Sequence, residues 1–345
     1  MVFRVHYFRL ACFALISSMS QLASIQAQEK SSPIRVGIIG LDTSHAPAFA
    51  KLFNSPEAKG EMQHQQVTHA FPGGSDDIQS SYSRLPGYTE ELKKMGIAIV
   101  PTIDELLENV DAVLLHSLDG RKHLAQVIPV FKSKKPVFID KPLAGTLAEA
   151  IAIHKLGKKY GARWFTSSSL RYSAEMIRYR ESDEKRSTVR GAISWGPCSL
   201  EQTHPDLFWY GVHGVETLYT AMGPGCESVV RLSTENTDVA IGTWSNGLIG
   251  EFRGIRKFAA PYGLVVFGEK AVEIGGKFDG YAPLAERVAL FFRGTYEGVS
   301  NEESIEMFTF MEAADESKRQ GGRPVSLREV RAKAEQVAEA MVKDL

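Results

Sequence analysis

Ile34-Arg35-Val36-Gly37-Ile38-Ile39-Gly40-Leu41-Asp42-Thr43-Ser44-His45 begins with a short apolar run that ends in glycine. Such a run reads as a strand buried on both faces, the form parallel strands take when helices cover both sides of a sheet. A helix is expected next. Pro47 has no N–H to donate, so it belongs in a first helical turn. That sets the helix start at or after Ser44, with Ser44 as its N-cap.

The same alternation continues downstream. Residues 67–71 read as a second strand, followed by the turn Pro72-Gly73-Gly74, and 97–100 as a third. Thr102-Ile103-Asp104-Glu105 is a capping box opening a helix. Ala112–Leu115 is a strand ending at His116, 122–131 is helical, and Val137–Ile139 is a strand running into Asp140-Lys141-Pro142. Thr146-Leu147-Ala148-Glu149 is a second capping box, and Trp164–Thr166 closes the series. Strands alternating with helices predict an α/β fold with a doubly wound parallel sheet. After about Ser169 the texture changes. Residues 189–195, 229–233, 239–244, 248–253 and 263–267 read as longer strands, and Ser245-Asn246-Gly247 as a hairpin turn. Ser326-Leu327-Arg328-Glu329 is expected to cap a last amphipathic helix. The division is a first domain over 33–168, then an α+β domain with a largely antiparallel sheet over 169–345.

Residues 1–28 read differently. Arg4, His6 and Arg9 precede a mostly apolar stretch, and Ala23, Ile25 and Ala27 precede a polar one. That is the order of a cleaved secretory signal, so export is expected. The 345 residues hold 40 Lys and Arg against 41 Asp and Glu, and that balance predicts no nucleic-acid partner. No apolar run reaches the length of a membrane span. Beyond the signal, Cys198 and Cys226 are open to either pairing or burial as free thiols.

Four places carry chemistry. A dinucleotide turn uses glycine at three points: for the tight turn, for close approach of the diphosphate and for helix–strand packing. Here Gly40 fills the first, and Asp42 and His45 stand at the other two. Asp42 adds a negative charge beside the expected diphosphate, while Thr43, Ser44, His45 and the helix N-terminus still offer donors. The acidic residue that would hold a ribose is matched only loosely, by Asp76. Lys141 ends a buried strand where ligands of open α/β sheets bind, and can hold or protonate a hydroxyl. Trp209-Tyr210-Gly211-Val212-His213-Gly214-Val215-Glu216 enters an apolar helix with His213 and Glu216 on one face, and His204 and Asp206 lie just before. The spacing is no metal motif, and no metal is expected.

In combination these motifs resemble the Gfo/Idh/MocA family of sugar and cyclitol oxidoreductases, from about Ile34 to the C-terminus. The resemblance rests on the Arg35-to-Gly40 start, on Asp140-Lys141-Pro142-Leu143 where the family has Glu-Lys-Pro, on Gly211-x-His213, and on 115–123 as its fourth-strand loop with His123 at its histidine. It implies a Rossmann-type first domain, NAD or NADP as cofactor, and a second domain whose open sheet often joins subunits. It places Lys141 and His213 as catalytic residues, and Gly40, Leu41, Asp42, Thr43, Ser44, His45, His116 and Lys141 along the cofactor. His204, Asp206, Trp209, Tyr210 and Glu216 are then candidates for a carbohydrate-like substrate. The family's aspartate four residues before the motif histidine is Trp209 here, and its later aspartate is Glu216. Two alternatives stand beside this reading: an exported carbohydrate lyase or hydrolase on the same scaffold, and a non-catalytic sugar-binding protein using the aromatic group 208–210.

Overall fold

The computed structural model describes residues 32–343 and Leu345. The signal-like segment 1–28 lies outside the described residues. From Ile34 onward the chain forms one compact unit built on two sheets.

The first sheet contains β1 (Ile34–Ile39), β2 (Gln65–Phe71), β3 (Ala98–Ile99), β4 (Ala112–Leu115), β5 (Val137–Ile139) and β6 (Trp164–Thr166). All six are parallel, in the order β3-β2-β1-β4-β5-β6. Helices α1 (His45–Asn54), α2 (Gln79–Tyr82), α3 (Leu85–Lys94), α4 (Ile103–Asn109), α5 (Gly120–Ser133) and α6 (Leu147–Tyr160) make the connections. Both capping boxes form: Thr102 Oγ1 accepts from the Glu105 N–H at 3.1 Å, and Thr146 Oγ1 from the Glu149 N–H at 3.2 Å. Ser44 behaves otherwise. Its backbone is already helical and its side chain caps nothing, because the turn before it winds directly into α1. Pro47 is the third residue of α1, inside the first turn. Gly40 sits at φ +92°, and a Cβ there would stand 2.2 Å from the Ser117 nitrogen, so only glycine lets the loop after β1 touch the loop after β4.

The second sheet has the order β12-β11-β7-β10-β9-β8-β13. Its strands are β7 (Val189–Pro197), β8 (Cys226–Ser233), β9 (Thr237–Trp244), β10 (Ile249–Ile255), β11 (Gly263–Gly268), β12 (Val272–Gly275) and β13 (Val325–Ser326). Every pairing is antiparallel except β7 with β10. The turn 245–247 closes the β9–β10 hairpin as its sequence implies, with the Gly247 N–H donating to the Trp244 carbonyl. After the short helices α7 (Ile177–Glu181) and α8 (Asp183–Ser187), the π-turn Leu207–Gly211 leads into α9 (Val212–Met222). Helix α9 is buried on all sides. Gly214 lets it lie on β10, since a Cβ there would meet Phe252 at 2.1 Å.

Helices α10 (Ala282–Arg293), α11 (Asn301–Arg319) and α12 (Leu327–Val342) complete the chain. They return to the first sheet's layer. Phe291 packs on Phe165 of β6 (4.8 Å between ring centroids), and Lys155 of α6 reaches Glu339 of α12. Ser326 precedes α12 without a side-chain cap bond, because it is paired in β13 against β8. Cys198 and Cys226 are separate buried thiols, both pushed up to about 12 by burial.

Candidate active site

The parallel strands of the first sheet end on one side, and there a cavity of about 200 Å³ opens. Each wall comes from a different element. Thr43, Ser44 and His45 arrive from the turn after β1, Leu118 from the loop after β4, Lys141 from the loop after β5, and Ser169 and Leu170 from the loop after β6. The second domain supplies Tyr210 and His213, with Tyr262 and Tyr281 closing the space.

His45 Nδ1 lies 2.5 Å from Asp140 Oδ2, and its ring packs on Tyr281 at 4.7 Å. Burial alone would push the Asp140 carboxyl up, but His45 outweighs that and holds it well below the usual range. Lys141 stands beside them with its Nζ 5.8 Å from the Tyr210 ring centroid. Burial lowers the Lys141 pKa, opposed by Asp140, and Arg84 lowers it further. His213 Nδ1 is 2.8 Å from Ser168 Oγ, and the ring lies against Tyr210 and Tyr262. Burial, with Lys141 and His45 nearby, drives its pKa well below the ordinary histidine value, so it is neutral at pH 7.

A second cleft, of about 660 Å³, lies at the ends of β2 and β3 between Phe71-Pro72-Gly73-Gly74, Asp76 and Ile99-Val100-Pro101. Gly40 and Asp42 lie in the turn after β1, just before the cavity residues Thr43, Ser44 and His45. Asp42 is fully buried. Its Oδ1 accepts from the Leu118 N–H at 3.0 Å and its Oδ2 from Ser81 Oγ at 2.6 Å.

The cavity thus gathers Thr43, Ser44, His45, Lys141, Tyr210 and His213. The other candidates stand elsewhere. His116 is buried with neither ring nitrogen bonded, and burial lowers it to about 3. His123 ties two loops together through the Ser117 and Leu143 carbonyls. Glu216 accepts from Arg171 at 2.7 Å, from Ser167 Oγ and from the Ser168 N–H, an internal ion pair. Asp206 joins Arg231 and Lys318. His204 lies against Trp209, with Nε2 3.3 Å from Asp119 Oδ1. Sequence reasoning missed Arg84, Ser168, Ser169, Tyr262, Phe278 and Tyr281. The serines follow β6 directly, and the rule that ligands bind at the carboxyl ends of parallel strands points to them. Nothing local marks the others.

An order of β3-β2-β1-β4-β5-β6, with Lys141, His45 and His213 at its carboxyl edge and a second, largely antiparallel sheet beyond it, is the doubly wound Rossmann arrangement, whose ligand crevice opens at the carboxyl ends of the strands. Residues 34–168 match the family model for Gfo/Idh/MocA, described as an oxidoreductase family with an NAD-binding Rossmann fold. Among solved structures it is similar to a probable dehydrogenase from Thermotoga maritima, with 20% identity and a TM-score of 0.69 over 86% of this chain and 100% of that one. It is also similar to scyllo-inositol dehydrogenase from Lactobacillus casei, solved with NAD(H) and scyllo-inositol, with 12% identity and a TM-score of 0.68 over 86% and 99% of the two chains. A third is a putative myo-inositol dehydrogenase from Sinorhizobium meliloti 1021, with 14% identity and a TM-score of 0.67 over 85% and 99%. These likenesses are of fold. No curated protein matches the sequence.

A dinucleotide fits at both ends of the sheet edge. The cleft beside Gly73 and Gly74 has room for the adenosine part, and next to it Ser117 Oγ and Gln126 Oε1 are buried without a partner. The cavity at Lys141 would hold the nicotinamide part. Asp42, in the turn after β1, is the acidic residue of that turn.

Proposed function

We propose that this chain oxidises or reduces a hydroxyl-bearing carbon of a sugar or cyclitol with NAD(P). The observation that carries this is the convergence of Lys141, His45 and His213 on one buried cavity beside the nicotinamide end of the crevice. When bound, the dinucleotide supplies a two-electron acceptor for the carbinol carbon. The chain's own groups handle the rest. The Lys141 ammonium, its pKa lowered by burial, donates to the substrate oxygen and orients it. His45 Nδ1 faces a carboxylate and therefore carries its proton, which leaves Nε2 to accept the hydroxyl proton. His213 borders the same space as a neutral imidazole and fixes the second side of the ligand. The tyrosines 210, 262 and 281 exclude water and offer hydroxyls to a polyol. Asp76 at the adenosine cleft favours a free ribose hydroxyl over a ribose phosphate, hence NAD over NADP.

The test is to incubate the purified chain with NAD or NADP and a panel of inositols and hexoses, and to follow nicotinamide absorbance. Turnover with one polyol supports the assignment; no turnover and no dinucleotide in native mass spectra would defeat it. The His45–Asp140 pair favours a second reading, an acid–base lyase or hydrolase on the same scaffold, which turns over a glycoside with no nicotinamide added. We also read residues 1–28 as an export signal.

A further inference from the structure

We propose that the Asp42 carboxylate is a built-in anion occupying the diphosphate seat, so that a dinucleotide binds only by displacing it from Leu118 and Ser81. The inference rests on the dinucleotide reading of the site and adds how that site is gated.

In this strand order the winding reverses between β1 and β4, and the ligand crevice opens there. One lip of the crevice is the turn after β1, and the other is the loop after β4. Asp42 spans the two. It comes from the first lip, and its Oδ1 takes the Leu118 N–H of the second at 3.0 Å. Its Oδ2 takes the hydroxyl of Ser81, on α2, which folds over the same edge from the end of β2. The side chain is fully buried. A backbone N–H at this crossing is the kind of donor a bound diphosphate uses, and here a carboxylate already holds it. The neighbouring Leu41 N–H is also engaged, donating to the Pro72 carbonyl at 2.7 Å.

The cover over the crevice is tied to the second lip at two further points, Ser75 to Asp119 and Asp77 to Arg121. The Ser75 N–H donates to Ser81 Oγ at 2.8 Å, and Ser75 Oγ donates to Asp119 at 2.6 Å. Arg121 pairs with Asp77 and with Asp119. The segment 75–84 is therefore a strap whose bonds run to carboxylates on both lips. Those carboxylates repel a diphosphate, and Arg121 beside them is already paired with Asp77 and Asp119. Releasing Asp42 frees the Leu118 N–H and detaches Ser81 from the first lip, while Ser75 and Asp77 still hold the strap to the second. Thr43 and Ser44 then present the start of α1 to the anion.

The experiment is NADH binding by the full chain, read by fluorescence, for wild type, Asp42→Asn and Asp42→Gly, with adenosine as a phosphate-free probe. Removing the charge is expected to tighten NADH by about tenfold or more while adenosine affinity stays within about threefold. Equal NADH affinity in wild type and both variants, or weaker binding in the variants, overturns the seat and leaves the dinucleotide reading intact. Failure of every form to bind either probe defeats the dinucleotide reading, and the seat with it. Hydrogen exchange of wild type reads the same event without a variant. Saturating NADH is expected to speed exchange across 75–84, and slower or unchanged exchange there overturns the strap.

Discussion

His45 and Asp140 meet as an imidazole–carboxylate pair, Nδ1 to Oδ2 at 2.5 Å, where the family's turn is expected to carry glycine. Asp140 comes from the end of β5 and His45 from the first residue of α1, so the pair joins the loop after β1 to the loop after β5. The contact fixes which nitrogen carries the proton. In polyol oxidation, His45→Gln is expected to lower kcat by about 10²- to 10⁴-fold, with NADH affinity unchanged. Asp140→Asn, which removes the carboxylate that orients the imidazole, should lower kcat in the same direction. A kcat within about threefold of wild type for His45→Gln would assign the proton to another group.

Lys141 lines the cavity together with Arg84, next to Asp140 and over Tyr210. Lys141→Met is expected to cost about 10²-fold or more in kcat/KM. Since burial lowers its pKa, the alkaline limb of the profile should fall below the ordinary lysine range and vanish in the variant. Steady-state kinetics across pH checks this.

His116 is a fully buried imidazole outside the cavity lining. Its imidazole has no bonded nitrogen, packs on Phe49 at 5.0 Å, and is lowered to about 3 by burial. A base depressed in the folded state adds stability above its unfolded pKa and loses it as pH falls from about 6.5 toward 3. His116→Phe is therefore expected to make stability less dependent on pH in that window, by up to about 1.4 kcal/mol per pH unit. Urea denaturation at several pH values measures it, and an unchanged slope counts against the burial argument.

Glu216, a substrate candidate by sequence, is expected to fail as a selective activity mutant. It and Arg171 form a buried pair at 2.7 Å, supported by Ser167 and the Ser168 N–H. Glu216→Ala leaves the Arg171 charge short of a partner, which costs about 3–5 kcal/mol for a buried pair. A large drop in melting temperature is the expected result. Loss of turnover with unchanged melting would return Glu216 to the active site.

Asp76 lines the adenosine cleft, so NAD should bind more tightly than NADP. Asp76→Ala is expected to narrow the preference by about tenfold, chiefly through tighter NADP. Equal affinities in wild type would remove Asp76 from the site.

The sequence carried the first sheet almost entirely. Continuous apolar runs such as 36–39, the two Thr-x-x-Glu boxes and Pro47 are local signals, and local bonding obeys them. It also carried Lys141 and His213, through motif order, and the hairpin at Asn246-Gly247. It misjudged Ser44 and Ser326 as caps because capping depends on a backbone angle that neighbouring elements impose. What only tertiary structure decided is which polar groups share a space. Ser81 and Leu118 meet Asp42 from 39 and 76 residues away, His45 meets Asp140 across 95, and Arg171 claims Glu216 across 45. A buried carboxylate needs a partner wherever the fold supplies one, and the spacing along the chain does not record which partner arrives.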